Sequence, residues 1–191
     1  MINRKFFFDH VRLHLFGGKL NSKQVQGITA ILDHWEKNYA QKDDRWLAYM
    51  LATTHHETGR TMQPIEEWGK GKSKIYGKRI KMNGKQYSDT NEIFYGRGFV
   101  QLTWYENYDR AGRELEKDFL QDAKGVMELS NATAILFLGM IEGWFTSKKL
   151  SDYFTPKKQD WKNARRIING LDKAELIKDY ALKYYAGISY T

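Results

Sequence analysis

The chain has 191 residues, of which 41% are hydrophobic and 15% aromatic, with two prolines and a formal net charge of +8. This composition excludes an intrinsically disordered chain, and the length suits a single domain, residues 1–191, with a sizeable core. The absence of cysteine excludes both a disulfide framework and a thiolate metal site.

Apolar residues that recur every three or four positions predict a mainly helical protein. The first three predicted helices are residues 4–16, a segment capped by Asn21 or Ser22, and a segment that ends at Glu57. The later predicted helices are residues 105–119, 131–145 and 157–168, and a last helix that starts at a capping box formed by Asp172 and Glu175.

Residues 70–95 differ from the rest of the chain. Short β-prone runs flank the dipeptide Asn83-Gly84, which is typical of a tight hairpin turn. We therefore expect an α+β fold that is mainly α, with one small β-hairpin.

The apolar stretches are too short for export or membrane insertion. The N-terminal run breaks at Asp9, before it could form a signal-peptide core, and residues 132–145 cannot span a bilayer. We expect synthesis in the cytoplasm and no stable membrane insertion. The positive charge favours a polyanionic partner, such as nucleic acid, anionic lipid or an acidic cell wall. No nucleic-acid-binding motif is present, so we expect no nucleic-acid partner.

Glu57 lies at the edge of an apolar helix face, and Thr58-Gly59 should end that helix. Partial burial and the negative end of the helix dipole both raise a carboxyl pKa, as a general acid near neutral pH requires. A glutamate at a helix end is more often an ordinary solvated residue. Glu66 should lie on the following loop and stay ionised. Two carboxylates whose environments separate their pKa values are typical of glycoside hydrolysis.

Aromatic residues are concentrated around these acids. They include Trp68 and Tyr95, which we assign to sugar binding because sugars stack on aromatic rings. Ordinary packing of a β-lobe is an equally good explanation for any one of them.

The sequence also argues against two other kinds of catalytic site. His55-His56-Glu57 resembles part of a zinc-protease motif, but Gly59 and Arg60 occupy the positions where the second histidine should stand. The chain also has neither a nucleophile elbow nor a phosphate-binding loop. We therefore expect neither a metal nor an organic cofactor.

Three segments together resemble glycoside hydrolase family 19, which contains plant-type chitinases and many phage endolysins. They are His56-Glu57-Thr58, a Tyr-Gly-Arg-Gly-x-x-Gln-Leu-Thr run within residues 94–108, and Ile168-Asn169-Gly170. The resemblance covers roughly residues 44–185. It implies a lysozyme-like helical domain whose β-hairpin lobe lies beside the active-site cleft.

The resemblance also implies roles for individual residues. Glu57 matches the general acid, Glu66 the second carboxylate, and Thr103 a residue that holds the attacking water. Polar residues that should line the sugar cleft are Gln101, Asn107 and Asn169. Arg97 should brace the carboxylates, and His56 should support the acid.

These features predict a monomeric, inverting endolysin of phage or prophage origin. It would cut peptidoglycan glycan strands as a muramidase. Its release across the inner membrane to the periplasm or cell wall would depend on a holin. Inversion places the two carboxyl groups roughly 6.5–9.5 Å apart. A chitinase and a catalytically inactive wall-binding module are the alternatives. The lack of cysteines and of a separate binding module weakens the chitinase alternative.

Overall fold

The computed structural model describes residues 1–189, which fall into two units. Unit 1 consists of Met1–Met62 together with the chain from Leu136 onward, and unit 2 is Gln63–Ile135. The expectation of a single catalytic domain stays a prediction. No helix among the described residues is long and apolar enough to cross a membrane.

The fold is mainly helical with small antiparallel sheets, which confirms the predicted fold class. The α-helices are α1 Arg4–His14, α2 Ser22–Asn38, α3 Asp44–Glu57, α4 Tyr105–Leu115, α5 Leu129–Glu142 and α6 Ala174–Ile188. Short 3-10 helices cover Ile75–Gly77, Ala123–Met127, Leu150–Asp152 and Asn163–Ile167. The strands are β1 Ile65–Glu66, β2 Arg97–Gly98, β3 Phe154–Thr155 and β4 Lys158–Gln159.

Unit 1 is built around α3, which packs mainly on α6, while α1 also packs on α6. Burial along α3 is continuous from Leu47 to His55, because neighbouring elements cover more than one side of the helix. The predicted start of α2 is confirmed: Asn21 accepts a hydrogen bond from the Gln24 backbone, and the Gln24 side chain accepts one from the Asn21 backbone. These reciprocal bonds satisfy backbone donors that the helix itself leaves unpaired.

The end of α3 also agrees with the sequence analysis. Gly59 has a φ of +57°, a left-handed conformation that costs glycine little. The turn lets the Arg60 N–H donate to the His55 carbonyl at 2.8 Å. Glu57 is thus the last residue of α3, and the chain changes direction immediately after it.

In unit 2, the sheet differs from the predicted hairpin. β1 pairs with β2, so that Ile65 faces Gly98 and Glu66 faces Arg97. Around the Asn83-Gly84 turn, the only pairing among residues 1–189 is an isolated bridge between Ile80 and Gln86. The predicted strands do not extend because this segment has no continuous apolar face to bury, and most of its side chains are exposed.

Two predicted helices are wrong in their bounds or type. Residues 157–168 form β4 and then a 3-10 helix, since the Asp160 carboxylate accepts from the Asn163 N–H at 3.1 Å and fixes a tight turn. α6 begins without a side-chain cap after Lys173, whose φ is +57°. Glu175 pairs instead with Lys162 at 2.8 Å, so the predicted capping box is absent.

Helices α4 and α5 end earlier than predicted. α4 stops at Leu115 because Glu116 adopts a left-handed conformation with φ of +53°. α5 stops at Glu142, and Gly143 turns the chain with φ of +79°. In both cases a single positive φ breaks the repeating helical hydrogen bonds.

Candidate active site

Glu57, the predicted general acid, is paired with an arginine that the sequence analysis did not single out. The Arg165 Nη1 atom donates to Glu57 Oε1 at 2.5 Å. The side chain of Arg165 is 4% exposed and that of Glu57 is 17% exposed, so the pair is largely shielded from solvent. A guanidinium at this distance forms a charge-assisted hydrogen bond with the carboxylate and fixes its orientation.

Arg165 is held by the segment that carries the Ile-Asn-Gly motif. It lies in the 3-10 helix Asn163–Ile167, and its Nε atom donates to the Asp172 carbonyl at 3.1 Å. Its own carbonyl accepts from the Asn169 N–H at 3.1 Å. Asn169 itself is exposed, and its side chain accepts from Gly170 at 2.8 Å. The motif therefore orders the turn that presents Arg165 to Glu57.

The two histidines before Glu57 differ in environment. His55 is buried, with Nδ1 3.0 Å from the Tyr184 hydroxyl, and burial lowers its pKa to about 4. It is therefore neutral at pH 7 and belongs to the core. His56 is half-buried, and desolvation lowers its pKa as well. An uncharged His56 next to Glu57 fits the predicted supporting role, which stays a prediction.

Glu66 lies on β1 rather than on the predicted loop, and three donors surround its carboxylate. The Tyr95 hydroxyl donates to Oε1 at 2.6 Å, Arg97 Nε lies 3.4 Å from the same atom, and Lys70 Nζ lies 3.6 Å from Oε2. The Tyr95 hydrogen bond is the main cause that lowers the pKa of Glu66, and the two cations act in the same direction. Glu66 is thus ionised at neutral pH, as expected.

Arg97 lies 3.4 Å from Glu66, and its predicted role as a brace for the carboxylates stays a prediction. Its side chain is 2% exposed, and its guanidinium carbon lies 3.6 Å above the centre of the Tyr95 ring. Its Nη1 atom also donates to the Ile93 carbonyl at 2.9 Å and to the Tyr108 hydroxyl at 3.1 Å. These contacts leave the guanidinium little freedom, so it holds the charge environment of Glu66 in place.

Tyr95, which the sequence analysis assigned to sugar binding, has contacts that favour a different role. Its hydroxyl is engaged by Glu66, one face of its ring is covered by Arg97, and the residue is only 6% exposed. A buried ring with one face covered offers little surface to a sugar. Tyr95 instead positions Glu66.

Glu67, the next residue, has a different set of contacts. Its Oε1 atom accepts from the Tyr76 hydroxyl at 2.9 Å and its Oε2 atom from the Gly96 N–H at 3.1 Å. A Cβ added at Gly96 would lie 2.8 Å from the Gln101 Oε1 atom, so the end of the Gln101 side chain would have to shift. Glu67 therefore ties together the backbone around the sheet, whereas Glu66 is held by side chains.

The Gln-Leu-Thr segment, residues 101–103, follows β2 and has a strained backbone. Gln101 has a φ of +53° and donates from its side chain to the Ile65 carbonyl at 3.1 Å, which fastens the segment to β1. Asn107 donates to the Thr103 carbonyl at 2.8 Å. The Thr103 hydroxyl has no hydrogen-bond partner among residues 1–189, so it is able to bind a water molecule. Trp104 has a φ of +74°, a conformation that only surrounding contacts can maintain.

Trp68 is fully exposed and borders a shallow depression of about 480 Å³. The depression is lined by Glu66, Glu67, Trp68, Gly69, Lys70 and Lys72. Lys72 is exposed and has no ion pair within the described chain. This surface combines an ionised carboxylate, an open indole ring and two lysines.

The predicted site residues thus form two groups, one in each unit. Unit 1 contains Glu57 with Arg165, together with His56 and Asn169. Unit 2 contains Glu66, Trp68, Tyr95, Arg97, Gln101, Thr103 and Asn107. Among residues 1–189, no group of three or more histidine or acidic side chains could hold a metal ion.

The Tyr95 hydrogen bond leads to a pH prediction. The pKa of Glu66 lies below its ordinary value of 4.5, so the ionised form, and the stability it contributes, is present above that value and lost as the pH falls through the lowered pKa. Tyr95→Phe removes the main cause of the lowering. We expect the acidic limb of the pH profile of kcat/KM to move to higher pH, toward the ordinary glutamate range.

The matched control for this variant is Tyr105→Phe. Tyr105 makes an equivalent hydrogen bond, at 2.6 Å, to Asp89 outside the candidate site. In Tyr105→Phe, the acidic limb of the pH profile of kcat/KM should stay at the wild-type pH. An unmoved limb in Tyr95→Phe would contradict the assignment of Glu66 as a group that must be ionised.

Comparison with known proteins identifies a family. The model of the family described as "Chitinase class I", glycoside hydrolase family 19, matches residues 34–157. The match includes Glu57, Glu66 and the whole Tyr-Gly-Arg-Gly segment, and it ends before Arg165. No curated protein sequence matches this chain.

Solved structures of similar fold include chitinases from bacteria and plants. Chitinase C from Streptomyces griseus HUT6037 aligns with a TM-score of 0.66 and 18% identity, over 100% of this chain and 77% of that one. A bacterial family 19 chitinase aligns with a TM-score of 0.61 and 19% identity, over 100% and 96%. The class IV chitinase from Zea mays aligns with a TM-score of 0.60 and 16% identity, over 92% and 85%.

Proposed function

Because this chain belongs to glycoside hydrolase family 19, we propose that it hydrolyses the glycan strands of bacterial peptidoglycan as an endolysin with muramidase specificity. Enzymes of this class cut glycosidic bonds with a pair of carboxyl groups. The observation that carries the choice of polymer is the pair of lysines, Lys70 and Lys72, beside Glu66.

The charge of the substrate distinguishes the two polymers. Peptidoglycan carries carboxylates on its peptide stems, whereas chitin is an uncharged polysaccharide. Lys72 lines the depression with Glu66 and has no ion pair within the part of the chain that the structure describes. A cation at that position is complementary to an acidic polymer and gains nothing from a neutral one. The net charge of +8 would add long-range attraction to an anionic wall, weakened by salt.

The proposed chemistry uses one carboxyl group as acid and the other as base. Protonated Glu57 donates its proton to the glycosidic oxygen as the bond to the anomeric carbon breaks. Glu66 accepts a proton from a water molecule held by Thr103, and the water oxygen forms the new bond to the anomeric carbon. Arg165 then stabilises the carboxylate that Glu57 becomes after it has lost its proton.

The remaining residues of the proposal orient the catalytic carboxylates or bind the sugar. Tyr95 and Arg97 hold Glu66 in its ionised form and in a fixed orientation. Trp68 presents an open ring on which a sugar can stack. Gln101, Asn107 and Asn169 retain their assignment to the sugar cleft as a proposal. Synthesis in a host cytoplasm and release to the wall by a holin belong to the same proposal, as does a monomeric state.

The direct test compares two polymers. The protein is incubated with purified peptidoglycan and, separately, with chitin, and the new ends of the soluble products are identified by mass spectrometry. We expect peptidoglycan fragments that end in reducing N-acetylmuramic acid. Fragments that end in N-acetylglucosamine would contradict the muramidase specificity, and products from chitin alone would contradict the choice of polymer.

A chitinase is the second candidate function. It is favoured by the solved structures of similar fold, whose names describe chitinases. The same acid and base roles would then act on an uncharged polymer, and the lysines beside Glu66 would have no substrate partner.

Replacement of Lys72 distinguishes the two candidate functions, peptidoglycan hydrolysis and chitin hydrolysis. In a peptidoglycan hydrolase, Lys72→Gln should lower kcat/KM on peptidoglycan about two- to fivefold, since an exposed ion pair contributes up to about 1 kcal/mol. Activity on a neutral chitin oligosaccharide should not change. Lys148→Gln removes the same charge from an exposed site in unit 1 and should leave both activities unchanged. An equal loss on both substrates would show that Lys72 does not select for charge.

The stereochemistry of the product tests the mechanism. We expect the anomeric configuration to invert, because a base that activates water delivers it to the face opposite the leaving group. Proton NMR of the first products, recorded before they mutarotate, distinguishes the two anomers. Retained configuration, or a covalent adduct on Glu66, would contradict the role of Glu66 as base even if the substrate is correct.

A further inference from the structure

Unit 2 contains a second cationic surface, which the proposed glycan chemistry does not use. Residues 74–85, here termed the cationic loop, contain four lysines and one arginine and no acidic residue. The segment includes the 3-10 helix Ile75–Gly77 and the Asn83-Gly84 turn. Its sequence is therefore both strongly basic and presented in short turns rather than in a packed element.

Three of the lysines in the loop are available to a partner. Lys74, Lys78 and Lys85 are exposed and make no ion pair with any described residue. The other two cations are engaged: Arg79 donates to the Asn91 side chain at 3.0 Å, and Lys81 lies 4.0 Å above the centre of the Tyr105 ring. An unpaired cluster of this kind is complementary to an anionic surface.

Acidic residues next to the loop do not neutralise the three free lysines. Asp89 accepts from the Tyr105 hydroxyl at 2.6 Å, and Glu92 lies 4.0 Å from Arg97. Glu106 accepts from the Met82 N–H at 2.8 Å. None of these three carboxylates forms an ion pair with Lys74, Lys78 or Lys85, so those ammonium groups stay available to a partner.

The loop also exposes two large apolar side chains between its lysines. Ile75 is 62% exposed and Met82 is 51% exposed. Removal of such side chains from water is favourable, and each contributes up to about 1.5–3 kcal/mol when fully buried. A polyanion such as a wall polymer would pair with the lysines but would offer nothing to these two residues. A lipid bilayer offers both an anionic headgroup layer and an apolar interior.

From this combination we infer that the cationic loop docks peripherally on an anionic phospholipid bilayer. Lys74, Lys78 and Lys85 pair with lipid phosphates, and Ile75 and Met82 enter the interface between headgroups and acyl chains. This surface adjoins the depression lined by Trp68 and Lys72, since the Tyr76 hydroxyl of the loop donates to Glu67, but it shares none of the lining residues. Docking is reversible, and it requires no step of glycan cleavage.

Co-sedimentation with lipid vesicles tests the inference independently of activity. The full chain is mixed with vesicles of phosphatidylglycerol and phosphatidylcholine, or of phosphatidylcholine alone, at low and high salt. We expect binding that requires the anionic lipid and weakens with salt. Lys74→Gln combined with Lys78→Gln should lower the partition coefficient about 30-fold, since each lysine near the surface contributes about 1 kcal/mol.

Two further variants complete the test. Ile75→Ser combined with Met82→Ser should lower the partition coefficient about tenfold or more at unchanged charge. Lys148→Gln combined with Lys157→Gln removes the same charge from exposed sites in unit 1 and should change it less than twofold. Circular dichroism and Tm establish that each variant is folded.

Three results would overturn the inference. The first is equal binding to both kinds of vesicle. The second is an equal loss of binding in the unit 1 control. The third is wild-type vesicle binding by the loop variants together with weaker binding to purified wall polymer, which would identify the partner as the polymer. None of these results depends on whether the chain cleaves peptidoglycan, so this test and that of the proposed function can fail separately.

Discussion

Replacement of Glu57 by glutamine will reduce the rate of peptidoglycan cleavage on the order of 10²-fold or more. The amide is nearly isosteric with the carboxylic acid but cannot donate a proton of suitable acidity to the glycosidic oxygen. The measurement is the initial rate of soluble fragment release, or of turbidity loss, at matched concentrations of folded protein.

The matched control is Glu36→Gln. Glu36 is also a partly buried carboxylate of unit 1, and it pairs with Arg4 at 2.5 Å, as Glu57 does with Arg165. Both variants lose a charge-assisted contact, so both should lower Tm. Only Glu57→Gln should lose activity. A folded Glu57→Gln protein with wild-type activity would remove Glu57 from the mechanism.

Replacement of Glu66 by glutamine should also lower turnover on the order of 10²-fold, because an amide cannot accept the proton of the attacking water. Thr103→Ala should be milder, since Glu66 can still hold and activate the water. Both effects should appear mainly in kcat, measured on a soluble peptidoglycan fragment at saturating concentration. Unchanged turnover in Glu66→Gln would show that another group is the base.

Glu67→Gln is the neighbouring control. The carboxylate of Glu67 accepts from Tyr76 and from the Gly96 N–H, and glutamine keeps one of these acceptors. The variant should lose some stability and little activity. A severe loss in Glu67→Gln, with little loss in Glu66→Gln, would show that the base is the other member of the pair.

The sequence predicted most of the helical framework because the helices combine clear apolar periodicity with local end signals. The Asn21 cap and the turn at Gly59 depend on residues next to each other in the chain, so they are visible without the fold. The last helix has periodicity but no such start signal. Its apparent capping box at Asp172 failed because Glu175 pairs with Lys162, a contact between residues that are distant in sequence.

The carboxylates of the candidate site could be predicted from the sequence, but most of the side chains that contact them could not. Glu57 and Arg97 stand within recognisable motifs, and Glu66 was assigned through the family resemblance. Arg165 does not, because it lies in a segment that was expected to be an ordinary amphipathic helix and whose 3-10 geometry was not foreseen. An arginine two residues before the Ile-Ile-Asn-Gly run was the available signal. The role of Tyr95 was missed for a similar reason, since its partners are fixed only when β1 and β2 pair.

The framework of unit 1 is assembled from two separate segments of the chain, and this affects when Glu57 can become ordered. α3, which ends in Glu57, packs mainly on α6, and residues 63–135 intervene before unit 1 resumes. During synthesis, the exposed apolar faces of α3 must wait until Ala174–Ile188 has left the ribosome. Arg165 is likewise made more than a hundred residues after its partner carboxylate. A nascent chain is therefore unable to form the Glu57–Arg165 ion pair, or to cover α3 with α6, until the residues that follow unit 2 have been made.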